Sequence, residues 1–167
     1  MDSRSDALKQ IRDAADRFNG FCRNITDHDW SHCTKASSWS IADIAEHVTI
    51  SNSNILRLLK TIVDSPLHGK CPDITDFEVP YLFYRAEEPG NIASPTGRFH
   101  ANRAAFSSFE DVIAAIMESM DGVSGDLRQV GARHPAFGML DGIQWLLFTA
   151  AHTERHRAQM IGVMSGR

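Results

Sequence analysis

Four long stretches of this chain repeat apolar residues at steps of three and four, and no stretch sustains strand alternation. A period near 3.6 lays apolar side chains along one stripe of an α-helix, and that stripe must be covered by something else apolar. The first stretch runs from about Asp6 to Ile25, with Leu8, Ile11, Ala15, Phe18, Cys22 and Ile25 on its stripe. Gly20 interrupts it at a cost of about 1 kcal/mol relative to alanine, yet the stripe continues in phase. The second opens with "SWSIADIAEHV", places Ser40 as an N-cap and Asp43 in the first turn, and reaches about Val63. The third opens with "SSFE", where Ser107 and Glu110 have capping-box spacing, and its stripe extends to Leu127 past Gly122 and Gly125, which weaken its last turns. The fourth follows "HPAFG" and runs from about Met139 to Val163. Four amphipathic helices without strands predict an all-α four-helix bundle, and a chain of 167 residues fits a single domain spanning 1–167.

The connections restrict how such a bundle is threaded. About 14 residues join the first two helices and about 10 join the last two, enough for antiparallel neighbours. More than 40 residues, Pro66 to Phe106, separate the second helix from the third and hold five of the six prolines. That length predicts a long crossover between helices two and three, and unstructured loops so long are often functional or partly folded. Its one apolar patch, "YLFYR" at 81–85, has two readings: an anchor to the core, which is preferred, or a cap on one end of the bundle.

Composition excludes several classes of function. The net charge of −4 leaves no basic stripe for phosphates, so no nucleic-acid partner is expected. The opening "MDSRSDALKQ" lacks a signal-peptide core, and the longest apolar run, around Trp145 to Ala151, falls well short of the roughly 20 residues that span a bilayer. Cys22, Cys33 and Cys71 are widely and irregularly spaced, which suggests neither a thiolate zinc site nor a disulfide framework. A cytoplasmic protein with no membrane partner is the expectation, and a homodimer is the default for a small bundle with exposed apolar residues.

Histidine is generous, at eight residues. In "WLLFTAAHTERHRAQM", His152 and His156 stand four apart, which puts both imidazoles on one helix face, one turn apart. That face also carries Phe148, Thr149, Met160 and Val163, so it is the apolar side, while Glu154, Arg155 and Arg157 project elsewhere. Two imidazoles at this pitch can share a metal, but the spacing also occurs in helices that bind none. A metalloprotease H-E-x-x-H is excluded, because Thr153 occupies the position of the glutamate. Di-iron E-x-x-H is excluded as well, because Ile44, Thr149 and Thr153 stand three residues before His47, His152 and His156. His47 lies near the apolar face of the second helix and would complete a three-histidine site if helices two and four face each other. Asp43, one turn earlier, is read first as a first-turn carboxylate and second as an orienting partner for His47. His100 and His134 fall in expected loops and are read as exposed histidines, His134 helping to form the turn before the fourth helix; the other reading places them at the mouth of the site.

"WSIADIAEHV", followed much later by "HPAFGMLDGIQWLLFTAAHTERHRAQM", resembles the DinB-like superfamily over most of the chain. The matching parts are the tryptophan-serine start of helix two with its histidine, the His-Pro-x-x-Gly turn, and the final H-x-x-x-H-x-x-Q helix. The resemblance implies a four-helix-bundle metalloenzyme whose metal ligands are His47, His152 and His156, holding a divalent transition ion such as nickel, zinc or iron. It implies a small-molecule substrate, with a low-molecular-weight thiol among the candidates, and thiol S-transfer or thiol-dependent isomerisation as the reaction; hydrolysis is the variant in which the ion activates water in place of a thiol. Gln159 matches a recurrent glutamine without an assigned role, and no catalytic side chain is identified. The alternative is a non-catalytic, stress-associated bundle that binds a metal or a ligand. Nucleic-acid binding, which the family's link to DNA damage would suggest, is disfavoured by the acidic charge.

Overall fold

The computed structural model describes residues 4–33, 39–63, 72–82 and 93–166. Its helices are α1 (Arg4–Asn24), α2 (Asp27–Trp30), α3 (Ile41–Ile62), α4 (Val79–Leu82), α5 (Arg98–Ala101), α6 (Ser107–Asp121) and α7 (Gly142–Ser165). The four long ones are the four amphipathic stretches. α1 and α3 each pack against both α6 and α7, so α1 lies diagonally across from α3 and α6 across from α7. Leu8, Ile11 and Phe18 of α1, Ile44, Val48 and Leu59 of α3, Phe109 and Ile116 of α6, and Leu146 and Met160 of α7 are all buried in this core. No helix among the described residues is long and apolar enough to cross a membrane.

The start of α3 follows its sequence closely. Ser40 caps it, its hydroxyl accepting from the Asp43 amide while the Asp43 carboxylate accepts from the Ser40 amide. The start of α6 does not. A 3₁₀ turn over Arg103–Phe106 runs directly into it, so Ser107 is already helical and makes no cap. Glu110 turns instead toward α1, where its carboxylate accepts from Asn19 and Arg23. α6 also ends at Asp121 with Gly122 as its C-cap, and Leu127 belongs to a separate 3₁₀ turn.

The expectation of no strands is corrected by a short antiparallel hairpin, β1 (Gly131–His134) and β2 (Gly138–Asp141), with His134 opposite Gly138 and Gly131 opposite Asp141. Four residues per strand are too few to display an alternation. Met139 is therefore in a strand, and the last helix begins three residues later than its periodicity suggests. Two glycines make this possible. Gly138 has φ +76°, the left-handed backbone that closes a three-residue hairpin loop, and a Cβ there would also strike the Asp73 carboxylate. At Gly142 a Cβ would come within 2.8 Å of the Leu127 carbonyl oxygen. α7 then starts on a second capping box, Asp141 with Gln144.

A polar clamp ties the crossover to this junction. Arg128 donates to both oxygens of Asp76, at 2.8 and 2.5 Å, and to Asp141 at 2.9 Å. Gln144 donates to the Ile74 carbonyl at 2.7 Å, and Asp73 pairs with the backbone of Met139. Of the "YLFYR" patch, the Tyr81 side chain is 70% exposed, which argues against burial at that end; residues 83–85 lie outside the described residues, as does Cys71.

Candidate metal centre

α7 is apolar nearly all round over its first half, where residues 142–150 are all buried. Such a helix sits inside the bundle rather than on its surface. Its buried side continues through His152, Thr153, His156 and Met160, so both histidines face inward, as their spacing predicts. α3 packs against α7 and brings His47 to the same place. One potential ligand atom from each of His47, His152 and His156 lies within 4.8 Å of the others. The ring of His47 is centred 5.3 Å from that of His152 and 4.6 Å from that of His156, and the two Nε2 atoms on α7 stand 3.1 Å apart.

Two of the rings are held in a defined tautomer. Gln159 Oε1 lies 2.7 Å from His156 Nδ1 and can only accept, so Nδ1 carries the proton and Nε2 the lone pair. The Ala93 carbonyl lies 2.9 Å from His47 Nδ1 and has the same consequence. The buried Nε2 of His47 is then a lone-pair donor too. The His152 ring is nearly parallel to Phe148, with centroids 5.7 Å apart. Burial, followed by the neighbouring imidazoles, pushes His152 well below the ordinary histidine range, and burial with His47 nearby brings His156 down to about 3. Near pH 7 both are neutral, the state in which imidazole binds metal.

This donor set suits a divalent transition ion. Nitrogens about 2.0–2.1 Å from one ion, at angles between about 90° and 109°, are roughly 2.9–3.3 Å apart, and the observed 3.1 Å falls inside that span. Among the described residues no carboxylate joins the cluster. Asp43 is committed elsewhere, accepting from Ser40 and lying 3.3 Å from His100 Nε2. Its reading as a first-turn carboxylate therefore holds, and its reading as a partner of His47 does not. His100 is likewise drawn to Ser40 and Asp43, away from the cluster.

Three residues outside the triad matter more than their sequence suggested. Gln159 is the acceptor that sets the His156 tautomer. Glu46 is 3% exposed, and its carboxylate accepts from the amides of Thr96 at 3.0 Å, Gly97 at 3.1 Å and Phe99 at 3.3 Å, and from the Thr96 hydroxyl. Burial alone would raise its pKa, but the hydrogen bonds from Thr96, Phe99 and Gly97 hold it below the usual carboxylate range. Glu46 thus pins the crossover three residues beyond Ala93, whose carbonyl orients His47. The signal was present as an acid inside the apolar run "IADIAEHV", directly before the histidine.

His134 is the third, and it corrects an expectation: it is 8% exposed, not a surface residue. Its Nδ1 accepts from the Ala136 amide at 3.1 Å, so it does help form the hairpin turn. Its ring stacks on Phe137 at 4.4 Å and also meets Trp145 and Phe148. Burial lowers its pKa to about 4. Together with His47 and His152, it lines a cavity of about 280 Å³ whose walls include Ile55, Leu58, Trp145 and Phe148. The cavity gives the triad an open side. Cys22 supplies no competing nucleophile, because it is buried in α1 and burial pushes its thiol pKa up.

Comparison with known proteins agrees with this architecture. Residues 10–160 match the family model of the DinB superfamily. Among solved structures, TT2238, described as a four-helix bundle protein, superposes with a TM-score of 0.64 over 96% of this chain and 99% of its own, at 16% identity. At that identity the likeness concerns the fold alone. No curated protein matches the chain.

Proposed function

Since the chain belongs to the DinB superfamily, we propose that it is a metal-dependent enzyme in which His47, His152 and His156 hold one divalent ion, nickel, zinc or iron, and leave a coordination position open to the adjacent cavity. The observation that carries this reading is the convergence of three buried or half-buried imidazoles, two of them fixed with Nε2 as the lone-pair nitrogen. A divalent ion there would supply Lewis acidity, lowering the pKa of a bound thiol or water toward neutrality. Thiol S-transfer to a small electrophile is the favoured reaction, and hydrolysis is the variant that uses water.

The protein's own part is orientation and shielding. Gln159 and the Ala93 carbonyl accept hydrogen bonds from the Nδ1–H groups of His156 and His47, which keeps both rings turned for binding. Phe148 covers one face of His152, and Trp39 packs 4.9 Å from His47, so both rings carry an aromatic neighbour beside the cavity. Among the described residues no carboxylate stands beside the triad as a general base. Proton removal is therefore assigned to solvent or to the substrate.

Metal analysis of protein purified without a histidine tag tests the reading. Wild type should retain about one equivalent, and alanine at each of the three positions should abolish it. Stoichiometric metal in His47→Ala would rule out the triad. Cobalt-loaded protein whose visible spectrum no thiol perturbs would favour a non-catalytic metal-binding bundle.

A further inference from the structure

The cavity beside the triad has an uneven chemistry. Ile55, Leu58, Trp145 and Phe148 make its walls apolar, Ser51 and Asn54 add neutral polar groups, and among the described residues no carboxylate lines it. Arg133 is the exception in charge. It stands on β1 directly before His134, its side chain is exposed, and it lines the same cavity. None of the described acids reaches it, whereas Arg128, on the same side of the hairpin's sequence, is held by Asp76 and Asp141. A guanidinium that no described acid pairs with, at the rim of an apolar cavity, is a fork for a carboxylate.

We propose that this cavity binds small carboxylic acids with an aromatic or alkyl body, Arg133 taking the carboxylate at the rim and Trp145 and Phe148 packing the body. The size limits the class. At roughly 30 Å³ per water-sized group, about 280 Å³ holds a molecule of about ten non-hydrogen atoms. The charge limits it further. Three neutral imidazoles would leave the full charge of a divalent ion uncompensated, and Arg133 adds a second cation on the same cavity. An anion is favoured there over a neutral or cationic molecule of the same shape. The inference rests on the metal reading for that ion's charge alone; the apolar walls and the arginine stand without it.

Calorimetric titration of 3-phenylpropanoate and of its amide, 3-phenylpropanamide, into metal-free and zinc-loaded protein tests the proposal. The acid should bind both forms, more tightly the zinc-loaded one, and the amide at least about tenfold more weakly. Arg133→Gln should erase the difference between acid and amide in the metal-free protein, and Arg133→Lys should restore part of it. Arg133 is exposed and outside the core, so an unchanged circular dichroism spectrum is expected for both variants. Equal binding of acid and amide, no binding of either, or an acid preference that survives in Arg133→Gln would each overturn the proposal. The metal-free arm keeps it separate from the metal reading: loss of zinc binding alone leaves the acid-over-amide preference intact.

Discussion

α7 carries two polar clusters, three turns apart, and they are built on opposite plans. At its start, Asp141 caps the helix, Arg128 joins Asp141 to Asp76, and Gln144 reaches the Ile74 carbonyl. Both carboxylates in that clamp share one counter-charge, the Arg128 guanidinium. At its middle, His152 and His156 meet His47 with no acid among the described residues joining them, and the Nδ1 contacts of His47 and His156 leave the Nε2 lone pairs of those two rings facing the cluster. The first cluster is complete as a structure. The second gathers three imidazoles around one point, the donor set that suits a divalent ion. Buried polar groups need partners wherever they occur, so charge pairing within a cluster marks a structural clamp, whereas neutral nitrogens converging on one point mark a ligand set.

The largest expected effect follows from that contrast. His152→Ala or His156→Ala should weaken metal binding by more than about 100-fold, the upper range for losing a mere supporting hydrogen bond, as read by competition with a chromophoric chelator. Arg128→Met should leave metal stoichiometry unchanged but strip two acids of their cation. Because Arg128 is about one-third exposed, the expected loss is about 2 kcal/mol in urea unfolding rather than the larger figure for a fully buried pair. If Arg128→Met lost metal, or if the histidine variants unfolded without losing affinity, the division between the clusters would collapse.

Smaller effects sharpen it. Glu46→Gln should lower metal affinity about tenfold with secondary structure intact, because the 96–99 segment and the Ala93 carbonyl lose their anchor. Gln159→Leu should do so by about the same factor or less, while leaving the crossover in place. The smallest effect concerns pH. The native pKa values of His134, about 4, and His156, about 3, lie below the ordinary value of 6.5. As pH falls, the unfolded chain takes up these protons first, so metal-free protein should hold its full stability above about pH 6.5 and lose it progressively toward pH 3–4. In the Arg128 clamp the two acids differ: Asp76 is held below the usual carboxylate range, chiefly by Arg128, so its contribution survives well into that acid window, whereas burial raises Asp141. A melting temperature that falls less steeply from pH 7 to pH 4 in His134→Phe than in wild type would assign part of the slope to His134, and equal slopes would assign it none.

The legible part of this molecule was the part governed by period. Four stripes gave the bundle, Ser40 with Asp43 gave the start of α3, and the pitch of His152 and His156 gave their inward face. Hidden from the sequence were features decided by a partner distant along the chain. Ser107 and Glu110 have capping-box spacing, but a preceding 3₁₀ turn and two side chains of α1 claim them. The hairpin was hidden because its strands are short, and its presence is what buries His134. Glu46 and Gln159 look like ordinary helical polar residues until the crossover and the His156 ring are set beside them. The triad itself needed both kinds of information: periodicity for the pair on α7, and the packing of α3 against α7 for His47.

X-ray absorption at the metal edge of zinc-loaded wild type and His47→Ala tests the central claim most directly. The account predicts three imidazole nitrogens at about 2.0–2.1 Å in wild type and loss of that signature in the variant. A sulfur scatterer near 2.3 Å, or a wild-type spectrum preserved in His47→Ala, would contradict it.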